Sequence, residues 1–166
     1  MERQRIVHNF PPVWDEHSRI LILGSLPSVK SRETGFYYGH PQNRFWKVLA
    51  ALHGQETPKS IEEKKTFLLK YRIAVWDVIA SCEIEGSSDS SIRGVVPNDV
   101  PGLLQKSNIT GVFVNGGKAA QLYDRYILEK SGQKAVRLPS TSPANAAWPF
   151  AKLLEEWKRI LCKEEA

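Results

Sequence analysis

The stretch from Gly35 to Trp46, G-F-Y-Y-G-H-P-Q-N-R-F-W, concentrates the side chains best able to act on a flat organic substrate. Tyrosine rings offer faces for stacking. A carboxamide both donates and accepts hydrogen bonds. Gly35, Gly39 and Pro41 punctuate the start as a loop, and from Asn43 onward Phe45, Trp46, Val48, Leu49 and Leu52 recur at helical spacing. Asn43 is therefore expected to cap that helix, its side-chain oxygen accepting from an orphan first-turn amide. A carboxamide is too weak a base to ionise water. It can hold a water in line and set its carbonyl dipole against developing positive charge.

Further polar groups fall where strands should end. Arg19–Leu23 is a short apolar run followed by the loop Gly24, Ser25, Leu26, Pro27, Ser28. Ile73–Ile79 is a second such run, interrupted by Asp77, and Ser81 to Val96 reads as a loop rich in Gly and Ser (Gly86, Ser87, Ser88, Gly94). Gly111–Val114 is a third strand, ending at Asn115-Gly116-Gly117. Ala135–Leu138 is a fourth, ending in Pro139-Ser140-Thr141-Ser142-Pro143-Ala144-Asn145. Helices are expected after Asn43, from Ser60 to about Lys70, after Asp99, through Ala120 to Ile127, and from Phe150 to Leu161. Residues 1–18 read as polar and irregular, anchored by Phe10 to Trp14. Alternating strands and helices predict a three-layer α/β/α sandwich in a single domain spanning 1–166, with a central, mainly parallel four-stranded sheet. Ligands of such sheets bind beyond the carboxyl ends of the strands, where these polar loops gather.

Composition narrows the chemistry. The 166 residues are 42% hydrophobic and 25% charged, as expected for a globular protein with its own core. The formal net charge of +5 is compatible with a polyanionic partner. The two cysteines and four histidines show no metal-ligand spacing, so no metal or organic cofactor is expected. No leader or membrane span is visible, so a cytoplasmic location is expected, and nothing in the sequence demands more than a monomer. Gly116-Gly117-Lys118 is followed by Ala119, so the hydroxyl that a phosphate-binding loop uses for magnesium is missing. Each polar residue also has a purely structural reading: Asp77 as a loop-capping acid, Asn115 as a turn residue, Ser142 and Asn145 as helix caps, and His40 as a packed loop histidine.

G-S-L-P-S after the first strand, H-P-Q-N-R-F-W, the strand-ending Asn-Gly, and L-P-S-T-S-P-A-N together resemble the uracil-DNA glycosylase superfamily over about residues 18–161. The chain is most similar to the hypoxanthine-DNA (deoxyinosine) glycosylases, the superfamily's sixth family. The mismatch-specific branch has G-I-N-P-G after the first strand, and the classical uracil enzymes place an Asp in that loop. Leu26 stands here instead. The His that opens the second motif of the uracil enzymes is likewise replaced, by the Ser140-Thr141-Ser142 region.

The resemblance implies a monofunctional DNA glycosylase. It would turn a deaminated base out of the helix and hydrolyse its bond to the sugar. Asn43 would be the catalytic amide, with Asn115 aiding catalysis or base recognition. Tyr38 would lie against the base. Gly24, Ser25, Leu26, Pro27, His40 and Asp77 would surround it. Ser28, Lys30, Arg44, Ser140, Ser142, Pro143, Ala144 and Asn145 would contact DNA. Two alternatives stay open from the residues: mismatch-specific uracil removal, and a DNA-binding module of the same fold without the chemistry.

Overall fold

The computed structural model describes residues 3–85 and 89–164. In chain order the elements are β1 (Arg3–Val7), β2 (Ile20–Gly24), α1 (Val29–Thr34), α2 (Phe45–Leu52), α3 (Ile61–Lys70), β3 (Ile73–Asp77), β4 (Ile79–Glu85), β5 (Arg93–Pro97), α4 (Val100–Lys106), β6 (Gly111–Asn115), α5 (Gly117–Tyr126), α6 (Leu128–Ser131), β7 (Val136–Leu138) and α7 (Phe150–Trp157).

Four of the strands form an all-parallel sheet in the order β3-β2-β6-β7. Their side chains are apolar on both faces, as a sheet covered by helices on each side requires. Along β2 the alternation divides the core. Ile20 and Ile22 pack with Phe45, Leu49, Leu68, Leu153 and Trp157 from α2, α3 and α7. Leu21 and Leu23 pack with Val100, Leu103, Leu122 and Tyr123 from α4 and α5. The expected three-layer sandwich is therefore present.

Caps set the helix starts. Ser60 accepts from the Glu63 amide at 3.0 Å ahead of α3, and Asp99 accepts from the Gly102 amide at 3.0 Å ahead of α4.

A second sheet, antiparallel with order β1-β4-β5, departs from the sequence reading. Residues 3–7 are not irregular; they pair with Ser81–Glu85. The stretch from Ser81 to Val96 is not one loop either: β4 and β5 occupy both of its ends, while Gly86, Ser87 and Ser88 lie outside the described residues. The reason is physical. β1 (R-Q-R-I-V) is a polar, mostly exposed edge strand, β5 (R-G-V-V-P) is a short edge strand broken by Gly and Pro, and β4 and β5 pair with register shifts, so neither edge shows a clean period of two. This added sheet matters to the site because its first strand delivers His8, whose amide donates to the Ala80 carbonyl at 2.7 Å.

Candidate active site

The parallel sheet aligns its carboxyl ends. Gly24 is in register with Asp77, Leu23 with Val114, and Asn115 with Leu138. Beyond that row lies a cleft of about 820 Å³. Of the residues nominated from sequence, Gly24, Ser25, Leu26, Pro27, Ser28, Tyr38, His40, Asn43, Asp77, Asn115, Ser140, Ser142, Pro143, Ala144 and Asn145 all line it. Lys30 and Arg44 do not. The Lys30 ammonium pairs with Glu33 at 3.7 Å on the exposed side of α1.

Asn43 and Tyr38 are held by the same residue. The Asn43 side-chain oxygen accepts from the Phe45 amide at 2.9 Å, which fixes the carboxamide at the start of α2. The helix itself begins one residue later than the sequence suggested, with Arg44 in the cap position, but the side-chain cap is made by Asn43. On the other side, the Phe45 ring stacks on Tyr38, with centroids 3.9 Å apart and planes 17° from parallel. Tyr38 has a left-handed backbone (φ 53°), rare for a bulky residue, and that turn presents its side chain to the cleft. Nearby, His40 Nδ1 accepts from the Gln42 amide at 3.1 Å, so a neutral His40 ring carries its proton on Nε2.

The floor of the cleft is a second cluster. Asp77 is 3% exposed, and its Oδ2 lies 2.9 Å from His8 Nε2. A β-carbon on Gly24 would lie 2.5 Å from Asp77 Oδ1 and 3.1 Å from the Tyr38 hydroxyl. Both polar atoms therefore crowd one point of the floor, and only glycine leaves room there. The Tyr38 hydroxyl is buried and meets no protein group in good hydrogen-bond geometry, with the Asn115 carboxamide as a polar neighbour offsetting part of the burial. Burial, with the Asp77 carboxylate adding to it, pushes its phenol above the usual tyrosine range, so it stays a neutral O–H.

The loop after β7 is tied back to the sheet. Asn115 Nδ2 donates to Thr141 Oγ1 at 3.0 Å, and the Thr141 amide returns a bond to Asn115 Oδ1 at 3.0 Å. Arg44 clasps the same loop, donating to the carbonyls of Trp148 at 2.6 Å and Asn145 at 3.0 Å. The guanidinium expected on a phosphate thus holds protein carbonyls instead. Asn145 Nδ2 donates to the Ser140 carbonyl at 2.9 Å, and Ser142 caps the short turn Pro143–Asn145 by accepting from the Ala144 amide.

Sequence reasoning missed His8, which lies behind Asp77, and the basic residues Arg32, Lys118, Arg137 and Arg159, which line the cleft. Arg32 carries a buried guanidinium nitrogen without a protein partner. Arg137 lies close against Gly117, and Arg159 donates to the Arg137 carbonyl at 3.0 Å. Glu156 also lines the cleft and pairs with Arg159 at 3.7 Å, so the four cations leave this wall net positive, as suits a phosphate backbone. No local motif announces them, since α1, α5, β7 and the turn after α7 bring them in from separate parts of the chain. Among the described residues no group of three or more His, Cys, Asp or Glu side chains is placed to hold a metal. No helix among them is long and apolar enough to cross a membrane.

A family model described as the uracil DNA glycosylase superfamily matches residues 11–161. The chain belongs to the uracil DNA glycosylase superfamily.

Two relatives of this chain are named hypoxanthine DNA glycosylase. The protein of Methanosarcina acetivorans is 39% identical over 158 residues, covering 93% of this chain and 98% of the relative. That of Methanosarcina barkeri is 36% identical over 138 residues, covering 82% and 86%. A solution NMR structure from Methanosarcina acetivorans, provisionally assigned as a uracil DNA glycosylase, superposes with a TM-score of 0.81 at 36% identity. It covers 95% of this chain and 97% of that one.

Proposed function

We propose that this chain is a monofunctional DNA-deoxyinosine glycosylase, removing hypoxanthine from DNA by hydrolysis of the N-glycosidic bond. The observation that carries the reading is the meeting of two built features in one cleft. A carboxamide, Asn43, is fixed by a helix start, and a polar floor is formed at Gly24, Asp77 and the Tyr38 hydroxyl. The names of the full-length relatives supply the base.

The chemistry follows from these parts. The glycosidic bond is inaccessible inside a stacked duplex, so the nucleotide must be extruded into the cleft. Breaking the bond puts positive charge on the sugar and negative charge on the departing base. The Asn43 oxygen has a second lone pair beyond the one engaged by Phe45, and it can hold the attacking water or face the sugar cation. The base anion is received by donors at the floor, the Tyr38 hydroxyl and the backbone of Gly24–Ser28 among them. The loop from Ser140 to Asn145 and the wall of Lys118, Arg137 and Arg159 fit the backbone of the strand from which the base is turned out.

The test uses end-labelled duplexes carrying a single deoxyinosine or deoxyuridine, incubated with the protein and then treated with alkali. Strand breaks at inosine that appear only after alkali support the reading. Breaks at uracil alone, or DNA binding without breaks at either base, overturn it.

A further inference from the structure

Two features lie outside the chemistry above: a buried Arg32 guanidinium nitrogen with no protein partner, and His8 behind Asp77. The second is carried furthest by its geometry. We propose that His8 is a positioning residue that fixes Asp77 Oδ1 as a hydrogen-bond acceptor, so that the cleft reads the ring N–H that deamination creates. The inference rests on the glycosylase reading of the same cleft.

One proton sets the polarity of Asp77 Oδ1. His8 Nε2 and Asp77 Oδ2 are 2.9 Å apart, and their side chains are 3% and 5% exposed. At that separation and burial a single proton occupies the line between them. Suppose it belongs to the imidazole. Asp77 is then a carboxylate, and Oδ1 carries only lone pairs. Suppose instead it belongs to the acid. It sits on Oδ2, and Oδ1 is the carbonyl oxygen. Either way Oδ1 accepts and does not donate. Without His8, a buried carboxyl group has no such constraint. It can take its proton on the oxygen that faces the cleft, which would convert the floor from acceptor to donor.

The polarity matters because deamination reverses one edge of a base. Adenine presents an amino donor beside a bare ring nitrogen. Hypoxanthine presents a carbonyl beside a ring N–H. Uracil and cytosine differ in the same sense. An acceptor fixed in the floor bonds the new N–H and meets the lone pair of the parent base with repulsion. Beside it, the Tyr38 hydroxyl, which meets no protein group in good hydrogen-bond geometry, supplies the donor for the new carbonyl, since both atoms converge on the Gly24 position. Acceptor and donor together match a lactam edge, –CO–NH–. Sites built to bond a particular polar hydrogen reject analogues lacking it far more strongly than apolar pockets reject a change of shape.

His8 is placed for this by the N-terminal sheet. Its ring is wedged against Phe10, 4.6 Å between centroids, and against Tyr37 at 5.8 Å. It does not itself line the cleft. Its effect on substrate must pass through Asp77.

The test compares single-turnover base release by the wild type, His8→Leu, His8→Gln, Asp77→Leu and the double variant His8→Leu/Asp77→Leu, on whichever of deoxyinosine or deoxyuridine the wild type cleaves. Thermal unfolding and affinity for a duplex with a stable abasic analogue are measured alongside. The rate of His8→Leu should fall by about tenfold or more, the range that loss of a buried polar contact to substrate commands. Its DNA affinity should stay within about twofold, as expected for a residue remote from phosphate. His8→Gln, which keeps an N–H donor for Oδ2, should recover most of the rate. In the Asp77→Leu background the His8 substitution should cost nothing further. Equal losses in His8→Leu and His8→Gln, or a His8 effect that survives removal of Asp77, overturn the inference. A wild type that cleaves only deoxyuridine overturns the hypoxanthine assignment and leaves the lactam reading to be decided by the variants. A wild type silent on both bases overturns the two together.

Discussion

Asn115 and Thr141 grip each other twice, carboxamide nitrogen to hydroxyl and backbone amide to carboxamide oxygen, both at 3.0 Å. Thr141 is fully buried, so neither bond is exchanged for water without cost. Both ends of the Asn115 side chain are thereby engaged in joining the end of β6 to the loop that follows β7. Asn115→Ala should destabilise the fold by about 2–3 kcal/mol, the sum of two buried bonds broken on one side. Thr141→Val, which removes only the hydroxyl, should cost about 1 kcal/mol. Urea denaturation checks both. If Asn115 acts on the reaction by placing this loop, Thr141→Val should lower base release in the same direction by a smaller factor. A variant Asn115→Ala of unchanged stability would exclude that account.

Asn43 separates structural from catalytic loss in a different way. Its oxygen caps α2 through the Phe45 amide, so Asn43→Ala should cost about 1 kcal/mol of stability. It should also lower base release by about a hundredfold or more, as loss of a transition-state hydrogen-bonding group does. Asn43→Asp keeps a capping oxygen and should retain stability. Placing both variants on one plot of stability against rate checks the assignment: Asn43→Asp falls on the stable, altered-rate side. Loss of rate only in proportion to stability would reduce Asn43 to a cap.

The contrast between these two asparagines shows what the sequence carried. Asn43 was legible because its cap, its helix and its aromatic neighbours are contiguous. The parallel sheet was legible because its two central strands, β2 and β6, are buried on both faces and read as apolar runs. His8 was not, because its partner Asp77 is 69 residues away and β1 is a polar edge strand without periodic signal. Arg44 was legible as a cation beside the site. Its pairing with the carbonyls of Asn145 and Trp148, about a hundred residues on, is a tertiary fact that no local pattern encodes.

Tyr37 and Tyr38 should respond oppositely to the same substitution. The Tyr37 hydroxyl donates to the Pro11 carbonyl at 3.0 Å, whereas that of Tyr38 is buried and meets no protein group in good hydrogen-bond geometry. Tyr37→Phe should destabilise by about 1 kcal/mol, and Tyr38→Phe should leave stability unchanged or raise it by about 1 kcal/mol. Tyr38→Phe should nevertheless slow base release, because it deletes the donor at the floor. Paired measurements of unfolding midpoint and single-turnover rate check this, and a Tyr38→Phe protein that is less stable but fully active would refute it.

The same two phenols set an alkaline limit. Burial raises both above their ordinary value of 10.0, with Asp77 contributing to each. In the unfolded chain they ionise near that value, while in the folded protein they stay protonated. The stability they contribute is therefore intact below about pH 10 and declines as pH rises beyond it, by about 1.4 kcal/mol per pH unit for each phenol. Urea midpoints measured between pH 8 and 11 should be flat first and then fall. The slope above pH 10 should be shallower in Tyr37→Phe and in Tyr38→Phe, and shallowest in the double variant. A slope unchanged by either substitution would mean that other groups set the alkaline limit.

Gly24 is the position where a single methyl group should do most damage. Its side-chain direction points at Asp77 Oδ1, 2.5 Å from where a β-carbon would sit, with the Tyr38 hydroxyl at 3.1 Å. Asp77 cannot simply swing away, because its other oxygen is held by His8 at 2.9 Å and its backbone is paired with Gly24 in the sheet. Gly24→Ala must therefore break the His8–Asp77 contact, spread β2 from β3, or turn Tyr38 off Phe45. Overpacking of this kind costs about 1–3 kcal/mol. The rate should fall by more than stability accounts for, because each escape route deforms the floor that receives the base. Ser25→Ala, one residue further along the same loop, offers a control that adds no atoms. A Gly24→Ala protein as fast as the wild type would show that the floor does not need its present shape.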